Sequence, residues 1–327
     1  MEKYFNLINK FKDKKILVLG DFILDEYVYG ETERISREAP VLILKYNNST
    51  YLAGGGANPV MNIKDLGAIP IPISVCGDDT YSKIMLNLLK SKKVNLDTII
   101  RDKNFVVPVK TRIMAGSVNT VKQQIVRIDR AGSKNISKDI ENKIIDLIKE
   151  FINKTDCILV SDYGGPLLTD KIIYFISSLA KKGYKVVVDS RYALKKFKYI
   201  TTGTPNETEA GPLVDIESYE EKDIENTIKK LTTLIKSKGM IITRGSKGMI
   251  IYENKKITKI PAFGTEEIVD VSGAGDTVAS IVSLALACGT SLNDAAYLAN
   301  IGGGIVVMKR GVATVTPEEL KKALKNG

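Results

Sequence analysis

The chain contains no histidine, and that absence removes more chemistry than any single motif supplies. Ser-His-Asp and Cys-His nucleophilic mechanisms, imidazole proton transfer and histidine-ligated metals all drop out, leaving carboxylate, Lys, Tyr or Cys as candidate bases. Cysteine is sparse. Cys76, Cys157 and Cys288 lie far apart and form no C-x-x-C pair, so neither a disulfide framework nor a zinc site is expected, and all three should pack as small hydrophobes. The longest apolar stretch, Val278 to Cys288, is too short to span a bilayer. The segment Met1 to Lys15 is charged throughout and lacks the apolar core and cleavage site of a secretory leader. A soluble, cytoplasmic protein without a membrane partner is therefore expected. Low-complexity tracts are missing too, as is the phosphate-binding signature G-x-x-x-x-G-K-[ST]. No G-x-G-x-x-G follows the first strand-like run, which argues against a dinucleotide-binding unit.

What is present suits one large domain or two: 327 residues, 44% of them apolar, are ample for a buried core. The formal net charge of +10 comes mostly from lysines interspersed with acids, as in Lys138, Glu141, Lys143 and Lys149. Such spacing describes solvated helix faces, with attraction of anionic substrates as the second reading. Aromatic content of 7% without a basic-aromatic stripe gives no support to nucleic acid as a partner.

The rest of the chain is organised around Asp270-Val271-Ser272-Gly273-Ala274-Gly275-Asp276-Thr277. It follows the apolar pair Ile268-Val269, read as a strand end, and opens a helical pattern through Ala279, Ile281, Val282, Leu284, Ala285 and Leu286. Glycines there let backbone approach a ligand, and the first free N–H groups of a helix form an anion site. Asp276, in the first turn, is favoured as a carboxylate. One carboxylate beside one anion hole is the minimum needed to move a phosphoryl group to a hydroxyl. Taken alone, the octapeptide reads first as a tight turn with Asp276 capping the helix.

Taken in order, KKILVLGD (Lys14 to Asp21) is a buried parallel strand, with Asp21 and Asp25 beyond its carboxyl end, where open α/β sheets bind ligands. Two extended, half-polar patches, Tyr27 to Tyr51 and Phe105 to Asp129, should pair as a small β-sheet standing off the main domain, as a lid or a dimer surface. Between them Ala53-Gly54-Gly55-Gly56-Ala57-Asn58 enters a helix from Pro59 to Leu66 and could meet a polyol or be a plain loop. Strand Ile69 to Asp78 and helix Tyr81 to Lys92 follow. Helices Lys138 to Asn153, Leu168 to Lys182 and Lys222 to Lys238 then alternate with strands Cys157 to Ser161, Lys185 to Asp189 and Gly239 to Thr243. That pattern predicts an α/β fold with a mostly parallel central sheet and helices on both faces. Polar residues recur at strand ends, in Ser161-Asp162-Tyr163, Asp189-Ser190-Arg191 and Thr204 to Glu209, and together outline one edge. Arg244 to Gly248 makes a glycine-bracketed basic turn into a hairpin, and Leu292 to Met308 is interrupted by Gly302-Gly303-Gly304.

These pieces resemble the PfkB, or ribokinase-like, family of carbohydrate kinases over nearly the whole chain. The glycines near the first helix, Asn206-x-x-Glu209 and DVSGAGDT stand in the family's order and spacing. GDFILDEYVYG, RISREAPV, QQIVRID and SDYGG look most like the D-glycero-D-manno-heptose 7-phosphate kinase type. The resemblance implies a ribokinase-like fold, a single kinase domain over residues 1–327 with a discontinuous β lid at about 27–52 and 104–130, and a homodimer through that lid. It implies Asp276 as the base, with Gly273, Ala274 and Gly275 as the anion hole. Asp21, Asp25, Gly54, Gly55 and Asn58 would hold the sugar, and Lys110, Arg112, Gln124 and Arg127 would reach a sugar phosphate. Asn206 and Glu209 would organise magnesium through water, and Thr243, Arg244, Gly245, Gly248, Asn300 and Gly303 would line ATP. Asp270 would shape a loop for a monovalent cation, potassium being the candidate. The chain departs from the heptose kinases in three places: Gly116 to Lys122 lengthens the lid hairpin, Gly-Gly-Gly-Ala-Asn-Pro replaces a glycine-alanine run, and Asp189-Ser190-Arg191 stands where a lysine is usual. No nucleotidyltransferase domain is expected in this sequence. The implied reaction is ATP-dependent phosphorylation of a sugar or sugar phosphate, heptose 7-phosphate first. Another sugar, a ketose phosphate or a nucleoside is the alternative acceptor, and a non-catalytic sugar or nucleotide sensor the alternative role.

Overall fold

In the computed structural model, which describes residues 1–117, 122–264 and 269–326, strand β1 (Lys15–Gly20) buries Ile16 through Leu19 completely, as a strand covered on both faces must. It follows helix α1 (Glu2–Asn9) and is succeeded, with no helix between, by β2 (Phe22–Ile35) and β3 (Leu42–Gly55). Then come α2 (Ala57–Asp65), β4 (Ile69–Cys76), α3 (Thr80–Ser91), β5 (Ile99–Arg101), β6 (Val109–Gly116) and β7 (Gln123–Arg130). The alternating part runs α4 (Lys138–Phe151), β8 (Cys157–Asp162), α5 (Asp170–Lys181), β9 (Val186–Ser190) and β10 (Thr202–Gly203). It continues through α6 (Glu207–Ala210), α7 (Glu221–Ile235), β11 (Gly239–Thr243), β12 (Met249–Glu253) and β13 (Lys256–Ile260). Helices α8 (Ala274–Ala287), α9 (Leu292–Val306) and α10 (Pro317–Asn326) close the chain.

The central sheet is six-stranded in the order β10-β9-β8-β1-β4-β5, every pairing parallel. Helices α2 and α8 pack on one face and α4 on the other, so the expected α/β architecture holds. Asp79, Ser137, Thr169 and Ser291 cap α3, α4, α5 and α9 by accepting from first-turn N–H groups. None of the described helices is long and apolar enough to cross a membrane. Cys76 and Cys157 are buried and Cys288 half-buried, all three free. A three-stranded antiparallel sheet, β11-β12-β13, joins the main sheet's β10 end through a parallel bridge between Asn206 and Thr243.

The lid is a four-stranded sheet, β3-β2-β6-β7, in which β2 pairs parallel with β6 and antiparallel with β3. The two patches thus pair, but their limits differ from expectation. The first lid strand starts at Phe22 and the second ends at Gly55, because the apolar run Phe22-Ile23-Leu24 continues straight out of β1 and stays buried. Asp25 and Gly54 therefore ride on lid strands. Of the lengthened hairpin at Gly116 to Lys122, residues 118–121 lie outside the described residues.

Two further expectations are corrected. The run before α8 is no strand where it is described: Ile268 falls outside the described residues, while the Val269 and Asp270 N–H groups donate to the Val307 carbonyl. The three glycines do not interrupt α9, which continues to Val306. They let it lie against its neighbours: a Cβ on Gly302 would sit 2.1 Å from Ile281 Cδ1, and one on Gly304 would sit 2.2 Å from the Phe263 carbonyl oxygen. Helix α8 is buried on all sides from Asp276 to Ala287, so this close contact holds the helix that carries the key carboxylate.

Candidate active site

At the start of α8, Gly273 takes φ +80°, a left-handed conformation that a side chain would strain, and a Cβ there would also sit 2.6 Å from Asn58 Nδ2. Among the described residues no side chain caps this helix, unlike α3, α4, α5 and α9. The Ala274 N–H donates to the Val271 carbonyl at 3.3 Å, so the Gly275 and Asp276 N–H groups are the ones that can meet a ligand, and the helix dipole favours an anion there. Space for one exists, since a Cβ on Gly275 would meet nothing nearer than Asp189 Oδ2 at 3.9 Å.

Asp276 points into this space and is almost wholly buried. Asn58 Nδ2 donates to its Oδ2 at 2.8 Å, and the Tyr163 hydroxyl lies 3.0 Å from both carboxylate oxygens. Burial first, then the charge of Asp189, pushes its carboxyl up to about 8, against the pull of the two donors. The ligand-free group is thus a carboxylic acid at neutral pH that ionises just above it, within reach of a base's working range.

Four other carboxylates gather at this end of the sheet, of which Asp189 and Asp25 act on Asp276 directly. Asp21, at the end of β1, is pushed up to about 7 by burial; its Oδ1 accepts from the Leu167 N–H, and its buried Oδ2 has no partner among the described residues. Its room is made by Gly165, where a Cβ would stand 2.2 Å from the Asp21 carboxyl carbon. Asp189, at the end of β9, is likewise raised to about 7, by burial and then by Glu209, while Thr204 donates to its Oδ1 at 3.0 Å. Asp162 accepts from Ser190 and from the Gly164 N–H. Asp25, on β2, forms an ion pair with Arg112, and a Cβ on Gly54 would stand 1.9 Å from its Oδ2.

Register explains which lid residues face this cluster. Asp25 is opposite Lys110, and Tyr27 opposite Arg112, so all four lie on one side of the lid. Arg112 lies over the Tyr27 ring, and the Lys110 ammonium lies 5.8 Å from the Tyr163 ring centroid. Lys110 has no ion pair among the described residues. Arg127, opposite Arg112, is on that side too but is exposed and held by Asp129 at 2.8 and 3.0 Å; Gln124 is exposed on the same edge strand. The structure thus brings Asp21, Asp25, Gly54, Gly55, Asn58, Lys110 and Arg112 around Asp276 and leaves Gln124 and Arg127 outside that cluster. The lid's opposite side carries Glu26, which accepts from Tyr51 at 3.1 Å and Thr111 at 2.5 Å and pairs with Arg130.

On the far wall, Asn206 and Glu209 form a reciprocal capping box on α6. Glu209 also takes the Arg191 guanidinium at 3.2 Å. The turn after β11 lies beside them through the Asn206 to Thr243 bridge. Arg244 is buried with its guanidinium committed to Glu207 at 3.1 Å and Glu221 at 2.9 Å; Gly245 is exposed, whereas Gly248 is buried, its N–H donating to the Gly245 carbonyl and its carbonyl accepting from the Arg244 N–H. Asn300 donates to the Pro261 carbonyl at 2.8 Å, and Gly303 is buried in α9 against Val278. Asp270 accepts from the Ser272 and Gly311 N–H groups, which hold its carboxyl below the usual range against burial. It orders its loop with both oxygens.

No group of three or more His, Cys, Asp or Glu side chains suited to a metal exists among the described residues. The hard oxygens of Asp189 and Glu209, faced by Arg191, nevertheless suit a magnesium ion that arrives on phosphates and keeps its waters. Tyr163 and Asp189 received no role from the sequence. Their only signal was position at the carboxyl ends of neighbouring strands.

Comparison with known proteins bears on the family and the fold. The model of the pfkB family of carbohydrate kinases matches residues 13–319. The bifunctional protein HldE of Geobacter metallireducens is 36% identical over 94% of this chain, and that of Syntrophotalea carbinolica 35% identical over 98%. The chain spans only 62% and 64% of the length of those relatives. Phosphofructokinase-2 from Escherichia coli, solved in complex with potassium, superposes with a TM-score of 0.77 at 18% identity, covering 96% of this chain and 98% of that one. Arabidopsis thaliana ribokinase complexed with ribose and ATP superposes at 0.73 and 20% identity, covering 95% and 98%.

Proposed function

Because this chain belongs to the PfkB family of carbohydrate kinases, and is therefore a phosphotransferase with an alcohol acceptor, we propose that its cleft passes the γ-phosphoryl group of ATP to a hydroxyl of a phosphorylated sugar, heptose 7-phosphate first among candidates. One observation carries the reading: a buried carboxylate, Asp276, stands at the uncapped, glycine-lined start of α8, and we assign the acceptor to the recess beside it at Asp21 and Asp25. In that recess Asp21, with one buried oxygen unpartnered among the described residues, accepts from acceptor hydroxyls, and Asp25 is aimed by Arg112. The Gly275 and Asp276 N–H groups at the start of α8 hold the transferring phosphoryl oxygens, and Asp276 takes the proton from the attacking hydroxyl. ATP lies against the exposed turn at Gly245, with Thr243, Arg244, Gly248, Asn300 and Gly303 behind it. Magnesium, when bound, neutralises phosphate charge; Asn206, Glu209 and Asp189 would hold it through water, and the loop ordered by Asp270 would hold potassium.

The case for a phosphorylated acceptor rests on Lys110. Arg112 and Arg127 are held in ion pairs by Asp25 and Asp129, whereas Lys110, cross-strand from the same two carboxylates, forms no ion pair among the described residues and turns its ammonium toward Tyr163, which leaves it available to a phosphate. The heptose reading adds the likeness of GDFILDEYVYG, QQIVRID and SDYGG to heptose 7-phosphate kinases. The lid's outer strands expose Leu42, Ile125, Val126 and Ile128, and we assign them to a homodimer interface that sedimentation analysis would read directly. An ADP-release panel of heptose 7-phosphate, fructose 6-phosphate, fructose, ribose and a nucleoside tests the substrate: the highest kcat/KM should fall on a sugar phosphate. A preference for an unphosphorylated acceptor would overturn the role of Lys110, and sugar binding with no ADP from any acceptor would overturn the kinase reading itself.

A further inference from the structure

We propose that Tyr163 is a positioning residue for phosphoryl transfer, whose hydroxyl moves between the two oxygens of Asp276 and so assigns Oδ1 as the oxygen that receives the acceptor's proton; the inference rests on the kinase reading of the cleft. The geometry is specific. Oδ2 has a permanent donor, because the orientation of Asn58 is fixed by a chain: Thr277 Oγ1 donates to Asn62 Oδ1 at 3.0 Å, and Asn62 Nδ2 donates to Asn58 Oδ1 at 3.0 Å. That leaves Asn58 Nδ2 to face Asp276 Oδ2 at 2.8 Å. Oδ1 has one side-chain donor among the described residues, Tyr163, placed equally at 3.0 Å from Oδ2. A phenol carries a single proton and can donate fully to one oxygen at a time.

In the resting site the phenol is shared between Oδ1 and Oδ2. When an acceptor hydroxyl arrives at Oδ1, the phenol turns to Oδ2 and joins Asn58, and Oδ1 is open. With Asp276 ionised, the acceptor O–H bond then breaks with its proton passing to Oδ1, the acceptor oxygen bonds to phosphorus, and the bond from phosphorus to the bridging oxygen breaks as ADP leaves. Tyr163 keeps its own proton throughout. Burial and the neighbouring Asp276 and Asp189 charges hold it well above the usual phenol range, with Arg191 opposing, so it acts only as donor. Its ring is steadied by Lys110 on one side, and its hydroxyl is the part free to choose. The charged groups facing Asp276 are Asp189 on β9 and Asp25 on β2, both raising its ionisation point, with Tyr163 and Asn58 as the donors that lower it.

The test is Tyr163→Phe, which keeps the ring under Lys110. Turnover should fall by about 10- to 100-fold with the KM for ATP unchanged, and the acidic limb of the kcat/KM profile should move up by about one to two pH units, the worth of one hydrogen bond to a charged group. Replacing Tyr163 by trifluorotyrosine, a stronger donor, should move the limb down. In the ligand-free protein, a 13C titration of the Asp276 carboxyl, identified by its loss in Asp276→Asn, should show the upward shift in Tyr163→Phe without any substrate. That last reading stands even if no acceptor yields ADP, which separates this inference from the kinase reading. A Tyr163→Phe enzyme that loses turnover with its limb and carboxyl midpoint unmoved would reduce Tyr163 to packing and overturn the proposal, as would an unmoved limb in the fluorinated protein should Tyr163→Phe fail to fold.

Discussion

Replacing the proposed base should make the ligand-free protein more stable, and the size of the effect follows from where Asp276 sits. In the unfolded chain its carboxyl ionises near 3.8, and in the folded chain near 8, burial being the main cause. A carboxyl raised on folding costs nothing below the lower value, costs progressively more as pH climbs between the two, and reaches its full cost above the higher one. At 1.36 kcal/mol per unit, the gap of about four units is an upper bound of about 5–6 kcal/mol at pH 8 and above. Asp276→Asn removes that cost. The new carbonyl oxygen can still accept from Asn58 and Tyr163, while its amide must find a partner on the Asp189 side, which returns part of the gain. A net stabilisation of about 1–3 kcal/mol at pH 8, or roughly 2–5 °C in Tm, is expected. Thermal melts of both proteins without nucleotide, at pH 4.5 and pH 8, decide it: the variant should gain at pH 8 and gain little at pH 4.5. Equal Tm values at pH 8, or the same gain at both pH values, would refute the claim that burial of this carboxyl is what raises it.

Two other substitutions probe the acceptor side. Gly54→Ala forces the Asp25 carboxylate off its ion pair with Arg112, because the new methyl would stand 1.9 Å from Oδ2. Steady-state kinetics should show kcat/KM for the acceptor falling by about 10- to 100-fold at unchanged KM for ATP, with a stability loss of about 1–3 kcal/mol from overpacking. Lys110→Ala should raise KM for a phosphorylated acceptor by about 10- to 100-fold while sparing an unphosphorylated one, the discrimination of one charge-assisted contact.

The sheet and its helices are legible in the sequence because their signals are local. ILVLG, CILVS and VVVD are short apolar runs, and Asp79, Ser137, Thr169 and Ser291 are helix caps. The lid edges were misplaced because Phe22-Ile23-Leu24 carries the β1 pattern past Asp21 without a break. Gly302 looked like an interruption because its purpose, room for Ile281, involves a residue on another helix. The same distance hides Tyr163, whose partner Asp276 is 113 residues away. Gln124 and Arg127 fail in the other direction: on an exposed edge strand, Asp129, two residues on and on the same side, satisfies Arg127 locally.

The central claim is that Asp276 takes the acceptor's proton at the start of α8. It is tested most directly by comparing ADP release from the wild-type protein and Asp276→Asn, at saturating ATP and the best acceptor, with nucleotide affinity measured in parallel. The account predicts turnover lower by about 10²–10⁴-fold or more at nearly unchanged ATP affinity. Turnover within a few-fold of wild type, in a variant that still binds ATP, would contradict it.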